Sequence, residues 1–442
     1  MRKIAVIGTG YVGLVSGTCF ADVGHQVICS DIDSSKINKL KAGKIPIYEP
    51  GLEELVQKNV QKNRLTFTTD IPHAIRESEV IYIAVGTPMA ESGQADLTYV
   101  KNVARTIGQH LNDYKVVVNK STVPVGTGQI VRRIIQEHLR ENIDFDVVSN
   151  PEFLREGSAV DDTFNMERAV IGASSEKAAR IIEEIHEPFK TTIIKTNVES
   201  AEMIKYASNA FLAAKISFIN DIANICERVG ADVTKVAEGM GLDGRIGPKF
   251  LQAGIGFGGS CFPKDTQALI HIAEQAGYDF KMLKAVIDTN EKQRMVVVHK
   301  LKSILPDLNG KTIAVLGLAF KPNTNDMRDA PSIDVVSALL SEGAVVKAFD
   351  PIANDEARQY FQDSVHYARD VYAALEQADA CIILTDWPEV RKLNLSQVKQ
   401  VMNKPIVIDG RNCFELQAAE DAQLHYYSIG RPSVTEQERL KI

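Results

Sequence analysis

The 442-residue chain has only six cysteines, Cys19, Cys29, Cys226, Cys261, Cys381 and Cys413, and no two are spaced C-x-x-C. That excludes a disulfide framework and a zinc-ribbon ligand set, and it fits a reducing, cytoplasmic compartment. The nine histidines show no HExxH or similar spacing, so no metal is expected. No apolar run reaches the ~18 residues of a membrane-spanning helix, so no membrane partner is expected. Positive charge is also lacking: 50 Lys and Arg against 57 Asp and Glu leave −7, which argues against a nucleic-acid partner. The opening MRKIAVIGTG reads directly as a strand with no charged-then-apolar leader, again the expectation for a cytoplasmic protein. What remains is 45% apolar and 24% charged, an ordinary globular composition, at a length that suits about three domains of ~150 residues.

Residues 3–7 form a short β-branched strand, followed at once by Gly8-Thr-Gly10-Tyr-Val12-Gly13, a small-residue helix ended by Gly24, and a second strand delivering Asp31. Strand, glycine turn, helix, strand and acid make up a dinucleotide-binding unit. Gly8 permits the tight turn, Gly10 lets the backbone approach a pyrophosphate, and Gly13 allows the helix to pack on the strand. Asp31 favours the free ribose hydroxyls of NAD and repels the extra phosphate of NADP. Three further strands end in turns that carry Thr87, Thr122 and Asn150-Pro151-Glu152. In open α/β sheets the carboxyl ends of strands are where ligands sit.

Residues 199–229 contain no Gly or Pro, and Gly230 stops the run. Ile204, Ala207, Phe211, Ala214, Phe218, Ile222, Ile225 and Val229 recur in steps of three and four, which predicts one long helix joining domains or pairing between subunits, hence a homodimer. Lys205 and Asn209 fall on one face of it. Eight of the 29 glycines then lie between Gly239 and Gly259, just before Ser260-Cys261-Phe262-Pro263-Lys264-Asp265. Such a loop allows close backbone approach to a ligand. Cys261 is the candidate nucleophile, because a nearby cation and exposed backbone N–H groups favour a thiolate. Cys19, Cys226 and Cys381 read as buried apolar residues.

The last third repeats the first: residues 311–317 (KTIAVLG) echo 3–8 (KIAVIG), and 343–350 (GAVVKAFD) echo 24–31 (GHQVICSD). The second copy lacks the glycine fingerprint and carries an insertion at 321–329. Lys321, Arg328 and Arg411 stand at its strand ends, suited to phosphates. The tail after Arg431 is polar and expected to be loose. The whole reads as α/β, with two Rossmann-like doubly wound domains joined by a long central helix and an all-helical middle segment. The boundaries fall at 1–198, 199–305 and 306–442.

GIGFGGSCFPKD, NPEFLREG, STVPVGT and AFKPNTNDMRDAPS together resemble the UDP-glucose/GDP-mannose dehydrogenase family, over residues 1 to about 410. The resemblance implies NAD-dependent, four-electron oxidation of the C6 alcohol of UDP-glucose to UDP-glucuronate through a Cys261 thiohemiacetal and thioester. It also implies a dimer or larger oligomer, and a product suited to polysaccharide supply. GDP-mannose is the nearest alternative substrate. Lys205 and Asn209 are implied as oxyanion stabilisers, and Asp265 with Thr122 as the water-handling pair, Glu152 being the competing acid/base. For the sugar nucleotide the resemblance carries over Phe153 and Leu154 beside Glu152, together with Gly258 and Lys321. Phe250, Leu251, Gln252, Ala253 and Gly254 are carried over as one backbone segment. Arg245 is implied to reach the neighbouring subunit's substrate, and Arg411 is carried over although Asn412 departs from the family's basic stretch. For NAD it carries over Val12, Asp31, Lys36, Thr87, Thr122, Glu156, Lys264 and Arg328. A cofactor-sensing protein, or an alcohol dehydrogenase that releases aldehyde, would need no Cys261.

Overall fold

The computed structural model describes residues 1–90 and 93–435. Two compact units make up the chain, one of Met1–Ser208 with Gln267–Tyr278, the other of Asn209–Thr266 with the chain from Asp279 onward.

In the first unit β1 (Lys3–Ile7), β2 (Gln26–Ser30), β3 (Leu65–Thr68), β4 (Val80–Ile83), β5 (Lys115–Asn119) and β6 (Phe145–Ser149) are followed by β7 (Arg168–Ala173) and β8 (Thr192–Thr196). Their order is β3-β2-β1-β4-β5-β6-β7-β8. All neighbours are parallel except β6 and β7, which run antiparallel. The first six strands have the doubly wound order, whose direction of winding reverses between β1 and β4. Alternation within β1 shows how both faces are covered. Ile4 and Val6 pack with Leu14, Val15 and Phe20 of the helix Tyr11–Asp22, whereas Ala5 and Ile7 pack with Ala74, Ile75 and Val100 on the other side. Strands buried on both sides read as unbroken apolar runs, as these do.

The second unit repeats the plan. β9 (Thr312–Leu316), β10 (Val345–Phe349), β11 (Val365–Tyr367), β12 (Ala380–Ile383), β13 (Ile406–Asp409) and β14 (His425–Tyr427) form an all-parallel sheet in the order β11-β10-β9-β12-β13-β14. The internal sequence echo thus places β9 and β10 where β1 and β2 stand in the first sheet. Between the two sheets in sequence run five helices, Val198–Val229, Val233–Gly241, Phe262–Gln275, Lys281–Arg294 and Val296–Ile304, with no strand. The central helix expected over 199–229 forms as one piece of 32 residues, Val198–Val229. One expectation needs correction. The described start of the tail, up to Val434, stays attached to the second sheet, because Val434 pairs with Tyr426 through two 2.9 Å backbone bonds. Residues 436–442 of that tail lie outside the described residues.

Candidate active site

The carboxyl end of the first sheet is built around the glycine fingerprint. Gly8 adopts φ +104°, and a Cβ there would stand 2.5 Å from Ala84 O. A Cβ on Gly13 would lie 2.0 Å from Gly8 O, whereas one on Gly10 would meet nothing within 4 Å. Glycine is therefore forced at the turn and at the packing position, while Gly10 faces open space at the start of the helix Tyr11–Asp22. That helix has no side-chain cap, so its first N–H groups remain available to an anion. Val12 stands half-buried in its first turn.

Asp31 Oδ2 accepts the Thr9 N–H at 2.8 Å and the Thr9 hydroxyl at 2.9 Å, and Oδ1 accepts Asp33 N–H at 3.0 Å. Burial opposes its ionisation, but these donors and the nearby Lys36 ammonium outweigh it and hold the carboxyl below its ordinary value. Asp31 is only half-buried, so it keeps a face for ribose hydroxyls. The Thr87 hydroxyl donates to Thr122 O at 2.9 Å, joining the turns after β4 and β5 beside the winding reversal. Gly157 N–H, next in the chain after Glu156, donates to Tyr11 Oη of the helix Tyr11–Asp22 at 2.6 Å. The residues present fit NAD. Ile32, next to Asp31, is an apolar side chain left 77% exposed.

The corresponding end of the second sheet is closed to that use. Asp350, the counterpart of Asp31, is fully buried. Its oxygens accept Leu318 N–H at 2.7 Å, Ala319 N–H at 3.0 Å, Ile352 N–H at 2.9 Å, Ala353 N–H at 2.8 Å and Trp387 Nε1–H at 3.0 Å. Both carboxylate oxygens are thus occupied by the protein.

Still in the first unit, Lys205 Nζ lies 3.0 Å from Glu152 Oε1, and the two side chains are only 4% and 5% exposed. Glu152 Oε2 also accepts Leu154 N–H at 2.6 Å. Phe153 lies beneath two cations, Arg168 at 3.9 Å and Lys205 at 5.4 Å from the ring centroid. A second buried lysine, Lys120, donates to Asn150 Oδ1 at 3.1 Å. Desolvation pushes its pKa down to about 8, with Lys205 adding to the depression and Glu152 opposing it. Sequence reading passed over Lys120. Its only signal is a lysine directly after an apolar strand, one residue ahead of the turn that carries Thr122.

In the second unit Cys261 directly precedes the helix Phe262–Gln275, and its carbonyl accepts the Asp265 N–H at 2.8 Å, the first bond of that helix. A helix N-terminus favours the thiolate over the thiol. Asp265 is completely buried, with Oδ2 accepting Asn209 Nδ2–H at 2.6 Å and Oδ1 accepting Lys264 Nζ–H at 2.6 Å. Asn209 therefore engages Asp265, one helical turn away from the lysine that engages Glu152.

The glycine loop is held from one side by buried amides. Asn220 Oδ1 takes Gly254 N–H at 2.8 Å, Gln293 Nε2 donates to Gly254 O at 2.7 Å, and Asn290 bonds both N–H and O of Phe257 at 2.7 and 3.1 Å. These three polar residues sit at core positions of apolar helical patterns, a signal the sequence reading did not use. A Cβ on Gly258 would stand 2.2 Å from Asp329 O, and one on Gly259 2.8 Å from the Phe320 ring. Gly259 also has φ +85°, so both positions require glycine. Phe250, at φ +66°, opens the loop, Leu251 and Ala253 are buried, and Gln252 is exposed. The Lys321 ammonium lies 5.3 Å from the Phe320 ring centroid.

Arg411 is half-buried and donates to Leu384 O at 2.7 Å, Phe320 O at 3.3 Å and Gly256 O at 3.5 Å. Desolvation lowers its pKa, yet the cation ties two strand ends to the glycine loop. Two further cations are exposed and paired with a nearby carboxylate. Arg328 pairs with Asp326 at 2.8 Å and is 61% exposed, while its carbonyl receives Gly259 N–H at 2.9 Å. Arg245 is 90% exposed and pairs only with Asp243, at 2.6 Å among the described contacts.

An intact dinucleotide cradle, a second doubly wound sheet closed to that use, and a cysteine at a helix start define a two-sheet dehydrogenase. Known proteins place it more narrowly. The NAD binding domain of the UDP-glucose/GDP-mannose dehydrogenase family matches residues 2–190, its central domain 199–292 and its UDP binding domain 314–416. A UDP-glucose 6-dehydrogenase of Bacillus subtilis is 66% identical over 98% of this chain and 94% of its own. One from Rhizobium meliloti is 48% identical over 97% of this chain and all of its own. The structure of a UDP-glucose dehydrogenase from Pyrobaculum islandicum superposes with a TM-score of 0.92 at 41% identity, covering 98% of both chains. The chain belongs to the UDP-glucose/GDP-mannose dehydrogenase family and is an NAD-dependent oxidoreductase.

Proposed function

We propose that the protein oxidises the C6 alcohol of UDP-glucose to the carboxylate of UDP-glucuronate through a covalent Cys261 intermediate. The substrate rests on the relatives named as UDP-glucose 6-dehydrogenases at 66% and 48% identity. The chemistry rests on one observation, Cys261 opening the helix whose first turn carries the buried Asp265.

NAD, when bound, would accept a hydride from C6 in each of the two oxidations, the proton of the C6 oxygen passing each time to Asp265 or Glu152. Lys205 and Asn209 hold the C6 oxygen as negative charge develops on it. The Cys261 thiolate adds to the aldehyde carbon, and loss of the second hydride leaves a thioester. Water, ordered by Thr122 and deprotonated by Asp265 or Glu152, adds to that carbon and expels the thiolate. The carboxylate leaves, the thiol is restored, and the aldehyde is never released. Asp31 and Lys36 receive the ribose, Ile32 the adenine, and Thr87, Glu156, Lys264 and Arg328 the rest of the cofactor. Phe153, Leu154, the segment from Phe250 to Gly254, Gly258, Lys321 and Arg411 receive the sugar nucleotide.

We also infer a homodimer. Phe211, Phe218, Ile225 and Val229 on the long helix are 66%, 51%, 51% and 69% exposed, spaced so that they share one side of it. An apolar stripe of this kind suits a second copy of the same helix, and the exposed Arg245 would then serve the neighbouring subunit's substrate. Six free cysteines fit a cytoplasmic location. Among the described residues no helix is long and apolar enough to cross a membrane. A uronate product suits polysaccharide supply.

The test is NADH formation with UDP-glucose limiting. Two NADH per sugar support the four-electron oxidation, and one means that aldehyde escapes and the thioester reading is wrong. No NADH with UDP-glucose, but turnover of GDP-mannose, overturns the substrate.

A further inference from the structure

Glu202 has no role in the chemistry above, yet it is 2% exposed on the long helix, one turn before Lys205. Its two carboxylate oxygens accept backbone N–H groups from one short segment, Oε2 from Gly126 at 2.7 Å and Oε1 from Gly128 at 2.9 Å. That segment starts the helix Thr127–His138 and directly follows the turn of Thr122 and Pro124, to which Thr127 is bonded through Pro124 O. The helix has no cap of its own, so Glu202 supplies one from a distant part of the chain. Glycines let the elements close. A Cβ on Gly128 would stand 2.5 Å from Val198 Cγ1 and 3.5 Å from Glu202 Oε1, and one on Gly172 of β7 would stand 2.4 Å from Ala201 Cβ.

We propose that Glu202 is a positioning residue, a carboxylate staple that fixes the Thr122 turn against the helix segment carrying Lys205. It rests on the roles given above to Thr122 and Lys205. The staple needs the ionised form, because a protonated carboxyl keeps one good acceptor and turns its hydroxyl toward an N–H group. Burial raises the Glu202 pKa to about 7, opposed by the Gly126 and Gly128 N–H groups and reinforced by the Glu199 charge one turn earlier. The Thr127–His138 helix meets Glu202 with those backbone N–H groups, β7 meets the helix start with Gly172, and Lys205 is engaged by Glu152. Closure of the staple therefore coincides with the neutral pH range.

The test compares the wild-type holoenzyme with Glu202→Gln in two ways, amide hydrogen exchange of the segment 124–128 and the pH profile of kcat with UDP-glucose and NAD. In the variant, faster exchange at Gly126 and Gly128 is expected, with kcat down about tenfold at about pH 8 and KM for UDP-glucose within about twofold. The ratio of wild-type to variant kcat is expected to fall toward unity near about pH 6, where wild-type Glu202 is itself protonated. Unchanged exchange overturns the staple. Faster exchange with unchanged kcat, or a pH-independent ratio, overturns its positioning role. If Glu202→Gln does not fold, Gly128→Ala is used, which keeps the carboxylate but pushes on Val198. It is expected to lower kcat while retaining the pH dependence, and full activity there overturns the proposal. Wild-type enzyme giving no NADH with UDP-glucose would sink the substrate reading, and amide exchange alone would then decide on the staple.

Discussion

Lys205 and Asn209 stand one turn apart on a single helix, yet each is committed to a different buried carboxylate. Lys205 holds Glu152 at 3.0 Å and Asn209 holds Asp265 at 2.6 Å. A four-residue spacing thus assigns two acids to two neighbouring donors, one charged and one neutral. The charged pair carries a large desolvation cost that mutual contact helps to offset, so its halves should not be separable.

Lys205→Met leaves the buried Glu152 carboxyl with the Leu154 N–H as its remaining donor among the described contacts. Chemical denaturation is expected to show a loss of about 3–5 kcal/mol, and Glu152→Gln added to it should recover part of that loss. Turnover should fall by at least about a hundredfold in both proteins. A double variant no more stable than Lys205→Met would show that the two groups do not depend on each other.

Cys261→Ser keeps the shape of the helix start but removes the thiolate. NAD and UDP-glucose should bind within about threefold of wild type by calorimetry, while acid formation collapses by at least about a thousandfold. Acid formed at a near wild-type rate would remove the nucleophile assignment.

The outline of the fold was legible because doubly wound sheets write themselves locally. A glycine turn, a helix and an acid recur at fixed spacing, and the β1/β9 and β2/β10 echoes needed no long-range information. Cys261, Lys205, Asn209 and Asp265 could be chosen from spacing and from the glycine loop. The pairings among them could not, because which carboxylate meets which donor depends on how distant segments close. Lys120, Glu202, Asn290 and Gln293 carry at most a weak local signal, for the same reason. Each is an ordinary polar residue until a neighbour remote in sequence takes its hydrogen bond. The state of Asp350 was equally hidden, since its position matches Asp31 and only the five donors around it show that it is closed.

Asp31→Ala removes both the ribose acceptor and the anchor of Thr9. The expected result is a drop of about ten- to a hundredfold in kcat/KM for NAD, with NADP affected far less, so that the preference narrows. An equal loss with both cofactors would show that Asp31 only braces the turn.

Phe218 is 51% exposed on the apolar stripe of the long helix. Phe218→Asp places a charge there without touching the core, and sedimentation should move from dimer toward monomer. A wild-type monomer at micromolar concentration would dispose of the stripe as a subunit interface.

Lys120 offers a check on burial that is independent of turnover. Its folded-state pKa is pushed down to about 8 from the ordinary 10.5, because desolvation disfavours the ammonium more than Glu152 and Asn150 support it. Below the lower value both states are protonated and the full penalty is present. Between the two, only the unfolded chain takes up the proton, so this group's contribution to stability rises with pH and levels off near 10.5. Lys120→Met removes the penalty, so the variant should be more stable than wild type at about pH 7, by on the order of 3 kcal/mol less about 1 for the lost Asn150 bond. That advantage should shrink steadily toward about pH 10.5. Taking the difference between the two proteins across pH cancels the other cysteines, tyrosines and lysines that titrate in the same window. A constant difference would mean that Lys120 is not depressed. A variant both more stable and fully active would mean that the site does not use the charge it keeps at such cost.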